Sequence, residues 1–274
     1  MAEPRKIAGY GWIPDLPDQR DHLYAAPPVF LADLPPSTDL RASCPAIYNQ
    51  GKLGSCTANA IGAAIEFDRL LQKLTDFVPS RLFIYYNERV IEGTTDFDSG
   101  AQLRDGIKTV ASQGVCPETE WPYDIAKFAT KPPAKAYTDA TLDRAVSYQS
   151  LVQDLNQMKG CLASGYPFAY GFTVYDSFES TQVAQTGVVP MPAASDQVLG
   201  GHAVLAVGYD DATQRFLSRN SWGTGWGMAG YFTIPYSYLT DGNLSDDFWT
   251  VRLVAKNAAQ LAAEKSASAM AAHS

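Results

Sequence analysis

The chain is short of histidine and cysteine, with three of one and four of the other in 274 residues. Four scattered cysteines do not make a disulfide framework. Cys44, Cys116 and Cys161 show no metal-ligand spacing with a histidine and read as structural thiols. Positive charge is scarce too. Lys and Arg number 21 against 29 Asp and Glu, a net charge of −8. That argues against nucleic acid as a partner, because affinity for it rests on neutralising phosphate. It argues equally against a polybasic membrane contact. No stretch approaches the roughly 20 apolar residues that cross a bilayer, and the N-terminus has no apolar signal-peptide core. Few cysteines and no export signal fit a cytoplasmic, reducing compartment, with export lacking a visible signal as the other possibility. What remains is ordinary apolar content, 46%, in a length that suits one large domain or two small lobes.

The chain divides into three pieces. Residues 1–33 form a proline-rich arm, with Pro14, Pro17, Pro27 and Pro28 set among Tyr10, Trp12, Tyr24 and Phe30. Such spacing predicts an extended segment without helix. Residues 34–254 read as the folded body. Residues 255–274 are Ala-rich with few large apolar groups and read as a disordered tail. Within the body, Ala60, Ala64, Phe67, Leu71 and Leu74 mark one face of a helix from about Cys56 to Leu74. Further helices are predicted over Ser80–Ile91, with Ser80 as N-cap, over Leu103–Gln113, ended by Gly114, and over Ser150–Ser164. Strands follow in PFAYGFTVY, HAVLAVGYD, QRFLSRN, GYFTIP and FWTVRLV. Helices first and strands later predict an α+β fold of two lobes.

Cys56 opens the first of these helices. Most cysteines are small core residues, but this one stands where unpaired N–H groups and the helix dipole favour a thiolate. Gly54 and Ser55 before it permit a sharp turn and close approach of another chain. A nucleophilic thiol needs a base, and the base needs an orienter. His22 lies in the arm and His273 in the tail, so His202, at the start of an apolar strand, is the one a scaffold could fix against Cys56. Asn220 could orient that imidazole, and Trp222 could cover the bond between them from water. The Gln50 amide and the Cys56 N–H could stabilise an oxyanion.

The set Gln50, Gly54-Ser55-Cys56, Gly201-His202-Ala203 and Asn220-Ser221-Trp222-Gly223-Thr224-Gly225-Trp226-Gly227 resembles the papain-like cysteine peptidases, from about Leu34 to Val254. The bacterial, xylellain-like branch also shares a GWIPDLPD-type leader. The resemblance implies a papain-like two-lobe fold, with a helical left lobe carrying Cys56, a β-rich, barrel-like right lobe carrying His202 and Asn220, and a cleft between them. It implies a cysteine endopeptidase acting through a thiolate–imidazolium pair and a thioester, on peptide or protein substrates, with no metal or organic cofactor. By position, Gly100, Ala101, Gln102, Leu103, Gly201, Ala203 and Trp222 would line the substrate site, with Asp246 or Asp247 at the floor of its main pocket, where a basic side chain would fit. The arm itself would act as a cleft ligand and restrain access. Three departures stand out: Leu53 where the family has a second cysteine, Thr57 where it has an aromatic residue, and Asp98-Ser99-Gly100-Ala101 where it has Cys-Asn-Gly-Gly. A Cys–His acyltransferase of transglutaminase type and a non-catalytic module of the same fold are the alternatives.

Overall fold

The computed structural model describes residues 10–141 and 146–253, so the Ala-rich stretch 255–274 lies outside the described residues. Its strands are β1 (Leu23–Tyr24), β2 (Ser37–Asp39), β3 (Val146–Leu151), β4 (Phe168–Tyr175), β5 (Val198–Asp210), β6 (Arg215–Arg219), β7 (Tyr231–Pro235) and β8 (Ser245–Leu253). They make one sheet in the order β1-β3-β8-β4-β5-β6-β7, with β2 paired to the end of β5. All these pairings are antiparallel except β1 with β3. The helices are α1 (Pro28–Ala32), α2 (Cys56–Leu71), α3 (Arg81–Glu92), α4 (Leu103–Gln113), α5 (Ala134–Ala140), α6 (Leu155–Ala163), α7 (Thr181–Thr186) and α8 (Tyr236–Leu239).

β5 is the partition between two cores. Its apolar run alternates as far as Val207, and an irregularity between Ala206 and Gly208 turns Tyr209 to the other face. Ala203, Leu205 and Val207 pack with Ile61, Ile65, Phe83 and Ile107 of the helical lobe. Val204, Ala206 and Tyr209 pack with Phe168, Phe172, Phe216 and Phe232 of the β-rich lobe. The α+β, two-lobe expectation therefore holds, and His202 sits on the element both lobes share.

Three local expectations change. α2 is buried on every side from Cys56 to Arg69, whereas Leu71 and Leu74 are exposed. The helix is the hub of its lobe rather than an amphipathic cover, and it ends before Lys73, whose φ of +54° breaks it. α6 begins only at Leu155, where the Asp154 side chain accepts from Asn156 and Gln157 N–H. Ser150 and Leu151 belong to β3 instead, held by β8 and β1. The arm does contain a short helix, α1, because Pro28 occupies a first-turn position that needs no N–H donor.

The arm is anchored before it reaches the body. β1 pairs with β3, Tyr24 and Ala26 are buried, and Ala26 N–H donates to Gln157 at 2.8 Å. Asp21 forms a salt bridge with Arg104 of α4 at 2.6 Å. Residues 10–16 then run across the seam between the lobes.

Candidate active site

Two loops meet beneath the seam. Gln50 N–H donates to Ser221 O at 2.8 Å, and Gly223 N–H donates to Tyr48 O at 2.9 Å. This tie brings the residues before α2 against the Asn220-Ser221-Trp222 segment that follows β6. Cys56, Gln50, His202 and Asn220 are all buried there.

The ring of His202 has a defined tautomer. Asn220 Oδ1 lies 2.9 Å from His202 Nε2 and 2.8 Å from the backbone N–H of Ser221. An amide N–H only donates, so the atom facing both is oxygen, and Nε2 must carry the proton. Nδ1 is then the acceptor nitrogen. It is buried with no hydrogen-bond partner among the described residues. Trp222 covers the pair, with ring centroids 5.0 Å apart and planes at 32° to His202. Phe178 and Trp226 back the indole in turn.

Gln50 is equally fixed. Its Nε2 donates to Leu53 O at 2.9 Å and its Oε1 accepts from Ser221 Oγ at 2.6 Å. An amide nitrogen carries two hydrogens, so one remains for another acceptor. Ser221 therefore orients both Asn220 and Gln50, a role that sequence reasoning missed although the residue lies inside the NSW block. Ser55, the residue before α2, places no side chain as a cap on the helix start. The departure at Thr57 also has a partner: its hydroxyl donates to the buried Glu88 at 2.7 Å.

The arm covers all of this. Backbone N–H groups of Ala203, Gly11 and Thr57 favour the Cys56 thiolate, but burial outweighs them and pushes the thiol up to about 12. Burial likewise lowers His202 to about 4, against the bond to Asn220. With the arm seated, burial thus works against charge on both groups. A Cβ on Gly11 would lie 1.6 Å from Gly54 O, which shows how closely the arm passes the loop before Cys56.

The predicted substrate groups are occupied by arm residues. Ala101 N–H donates to Gly11 O at 2.7 Å and Ile13 N–H to Ala101 O at 3.1 Å, while Trp12 N–H donates to Gly201 O at 3.0 Å. Gln102 Oε1 accepts from Leu16 N–H at 3.3 Å. Leu103 and Ala203 are buried. The bonds to Ala101 flank residue 12, which makes the bridge parallel. An antiparallel ligand would exchange both bonds through one residue. The family resemblance implies a substrate that pairs antiparallel with Gly100 and Ala101, so the arm runs the opposite way.

The Trp12 indole fills a pocket shaped by two glycines. A Cβ on Gly171 would meet it at 1.9 Å and one on Gly201 at 2.6 Å. Trp12 Nε1 donates to Asp247 Oδ2 at 2.8 Å, as does Asp15 N–H. Asp246 is exposed, so of the two predicted carboxyl groups it is Asp247 that meets the pocket. Cys44, Cys116 and Cys161 are free thiols, pushed up to about 11, about 12 and about 11 by burial.

Comparison with known proteins identifies the family. Residues 34–244 match the family described as papain family cysteine protease. An uncharacterized peptidase C1-like protein of Acanthamoeba polyphaga mimivirus is 47% identical over 215 residues, covering 75% of this chain and 69% of the relative. Cysteine endopeptidase Rep1 of Oryza sativa subsp. japonica is 27% identical over 240 residues, covering 82% of this chain and 61% of the relative. Among solved structures, xylellain, a cysteine protease from Xylella fastidiosa, superposes with a TM-score of 0.85 at 45% identity, covering 93% of this chain and 99% of that one. This chain belongs to the papain family of cysteine proteases, hydrolases of the peptide bond.

Proposed function

We propose that Cys56, His202, Asn220 and Gln50 carry out peptide hydrolysis in this chain and that residues 10–16 restrain it. The observation that carries the first half is the locked tautomer of His202, which leaves Nδ1 free to take a proton. Nδ1 takes the thiol proton, and Sγ attacks the substrate carbonyl carbon. The second Gln50 Nε2 hydrogen and the Cys56 N–H stabilise the resulting oxyanion. Collapse breaks the C–N bond, and the proton on His202 passes to the leaving amine. Water, deprotonated by His202, then cleaves the thioester and releases the acid.

The restraint rests on position and direction. Residues 11–13 use the backbone groups of Ala101 and Gly201 that a substrate would need, and they run in the reverse sense. The Trp12 pocket, with Asp247 as its acceptor, suits a large side chain carrying an N–H donor, including a basic one. The test is an epoxide of the E-64 type, read by intact mass, on the full chain and on a chain starting at Pro17. Adduct on Cys56 in the shortened chain only is the expected result. No adduct in either would refute the activated thiol, and equal labelling of both would refute the restraint. Peptide turnover with added amine separates hydrolysis from acyl transfer.

Seating should also depend on pH. Burial raises Asp15 to about 6, against hydrogen bonds from Arg104 and Trp249, and raises Asp247 to about 7 with help from Asp15. A released arm returns Asp15 toward its ordinary 3.8. Both groups hold protons better when the arm is seated, so their contribution to seating is full at acid pH and is lost as pH rises through about 6 and about 7. His202 opposes this, because its low seated value favours release on acidification, whereas Cys56, raised by the same burial, adds to the carboxyl pair in favouring release as pH rises. The activity of the full chain relative to the shortened one should therefore rise from about pH 5 to about pH 8. Asp15→Asn should flatten the rise, and a falling ratio would contradict the assignment.

A further inference from the structure

The family pattern has a cysteine three residues before the nucleophile and another opening the substrate-binding turn. This chain has Leu53 and Asp98 there. Those two segments are nevertheless joined. Gly54 N–H donates to both oxygens of Asp98, at 3.0 and 3.1 Å. Tyr85 donates its hydroxyl to the same carboxylate, and that hydroxyl accepts from Gly100 N–H at 3.1 Å. One carboxylate thus holds the loop that leads into Cys56, and through Tyr85 it holds the turn whose Ala101 bonds the cleft ligand. We propose that Asp98 is a positioning residue for peptide hydrolysis: it sets the nucleophile loop and the substrate-binding turn in register through Gly54 and, by way of Tyr85, Gly100.

The surroundings are built for this. Gly100 has φ +75°, a turn conformation that glycine adopts without steric cost. Ser99 Oγ donates to Gly100 O and can accept from the Thr94 hydroxyl, each at 2.9 Å. Arg89 is fully buried and stacks 3.9 Å over the Tyr85 ring. Its guanidinium donates to Thr95 O at 3.0 Å and Phe97 O at 2.8 Å, so the approach to Asp98 is rigid as well. Gly54 has little room, since a Cβ there would meet Asp98 Oδ1 at 3.0 Å and Gly11 Cα at 3.5 Å. The carboxylate is therefore packed directly against Gly54. Hydrogen bonds to a charged acceptor are about twice as strong as neutral ones, which suits a clasp that must hold two loops. Unlike a disulfide, it is indifferent to reductant, the condition under which a thiol nucleophile works.

The proposal rests on the catalytic reading above, and the experiment separates the two. The parent is the full chain carrying Gly11→Val, which opens the cleft. Asp98→Ala frees both loops and should lower kcat and raise KM, with kcat/KM falling about tenfold or more. Asp98→Asn keeps an oxygen acceptor for Gly54 and should recover most of kcat. Tyr85→Phe removes the hydroxyl that links Asp98 to Gly100 but leaves both Gly54 bonds to Asp98, so KM should rise with kcat nearly unchanged. Amide exchange gives a readout that does not need turnover: Gly54 and Gly100 should both exchange faster in Asp98→Ala, and Gly100 alone in Tyr85→Phe. Unchanged Gly100 exchange in Asp98→Ala, or equal loss in the Ala and Asn variants, would overturn the clasp. If neither this parent nor the chain starting at Pro17 had peptidase activity, the catalytic reading would fail instead, and the exchange pattern would still decide the clasp.

Discussion

Gly11→Val should raise the peptidase activity of the full chain about 100-fold. The arm passes so close to Gly54 that any Cβ at residue 11 would overlap the Gly54 carbonyl oxygen, 1.6 Å away. That carbonyl cannot retreat easily, because Gly54 N–H is tied to Asp98. Residues 10–13 must lift instead. They take with them the three backbone bonds to Ala101 and Gly201 and the indole of Trp12. Burying an aromatic side chain of this size contributes about 3 kcal/mol, and at about 1.4 kcal/mol per tenfold that alone sets the scale of the change. β1, α1 and the Asp21–Arg104 bridge lie further along and should survive, so the melting temperature should move little. Trp12→Ala loses the same indole burial but keeps the backbone bonds, so its rise should be of the same order and no larger. Rates of peptide cleavage and of Cys56 alkylation would be compared across the three proteins. A valine variant no faster than the parent would mean that residues 10–16 do not limit access.

How much of this was visible in the residues depends on distance along the chain. His202 stands out in the sequence because His22 and His273 fall in segments that read as arm and tail, and Asn220 because its block of Trp and Gly is so distinctive. Ser80 was legible as a cap from local chemistry, and its side chain does accept from Phe83 N–H at 3.2 Å. The rest needed three dimensions. Trp12 has a seat only because Gly171 and Gly201, on neighbouring strands β4 and β5, both lack a side chain. Asp98 looked like a departure from a pattern, since its partners Gly54 and Tyr85 are brought to it by tertiary packing. α1 was hidden by counting prolines without asking which backbone positions they fill. Leu71 and Leu74 continued a helical spacing past the point where the core ends, which periodicity cannot see.

Cys56→Ala and His202→Ala, each in the open-cleft background, should lower kcat/KM by on the order of 10⁴-fold or more, and the double variant should be no worse than either. The two act as one unit. Without the imidazole, the thiol has no proton acceptor, and without sulfur, the imidazole has nothing to activate. Asn220→Ala should cost less, about 10- to 100-fold, because Oδ1 selects a tautomer rather than moving a proton. The ring would stay in place, with Trp222 5.0 Å on one side and Phe172 5.7 Å on another. It would, however, be free to carry its proton on Nδ1, the nitrogen that must accept one. The signature of that loss is a lower kcat with little change in KM, since Asn220 lies behind His202 and bonds its far nitrogen. A His202→Ala protein within about tenfold of its parent would remove imidazole from the reaction. A rise in KM alone for Asn220→Ala would move that residue from the proton path to substrate binding.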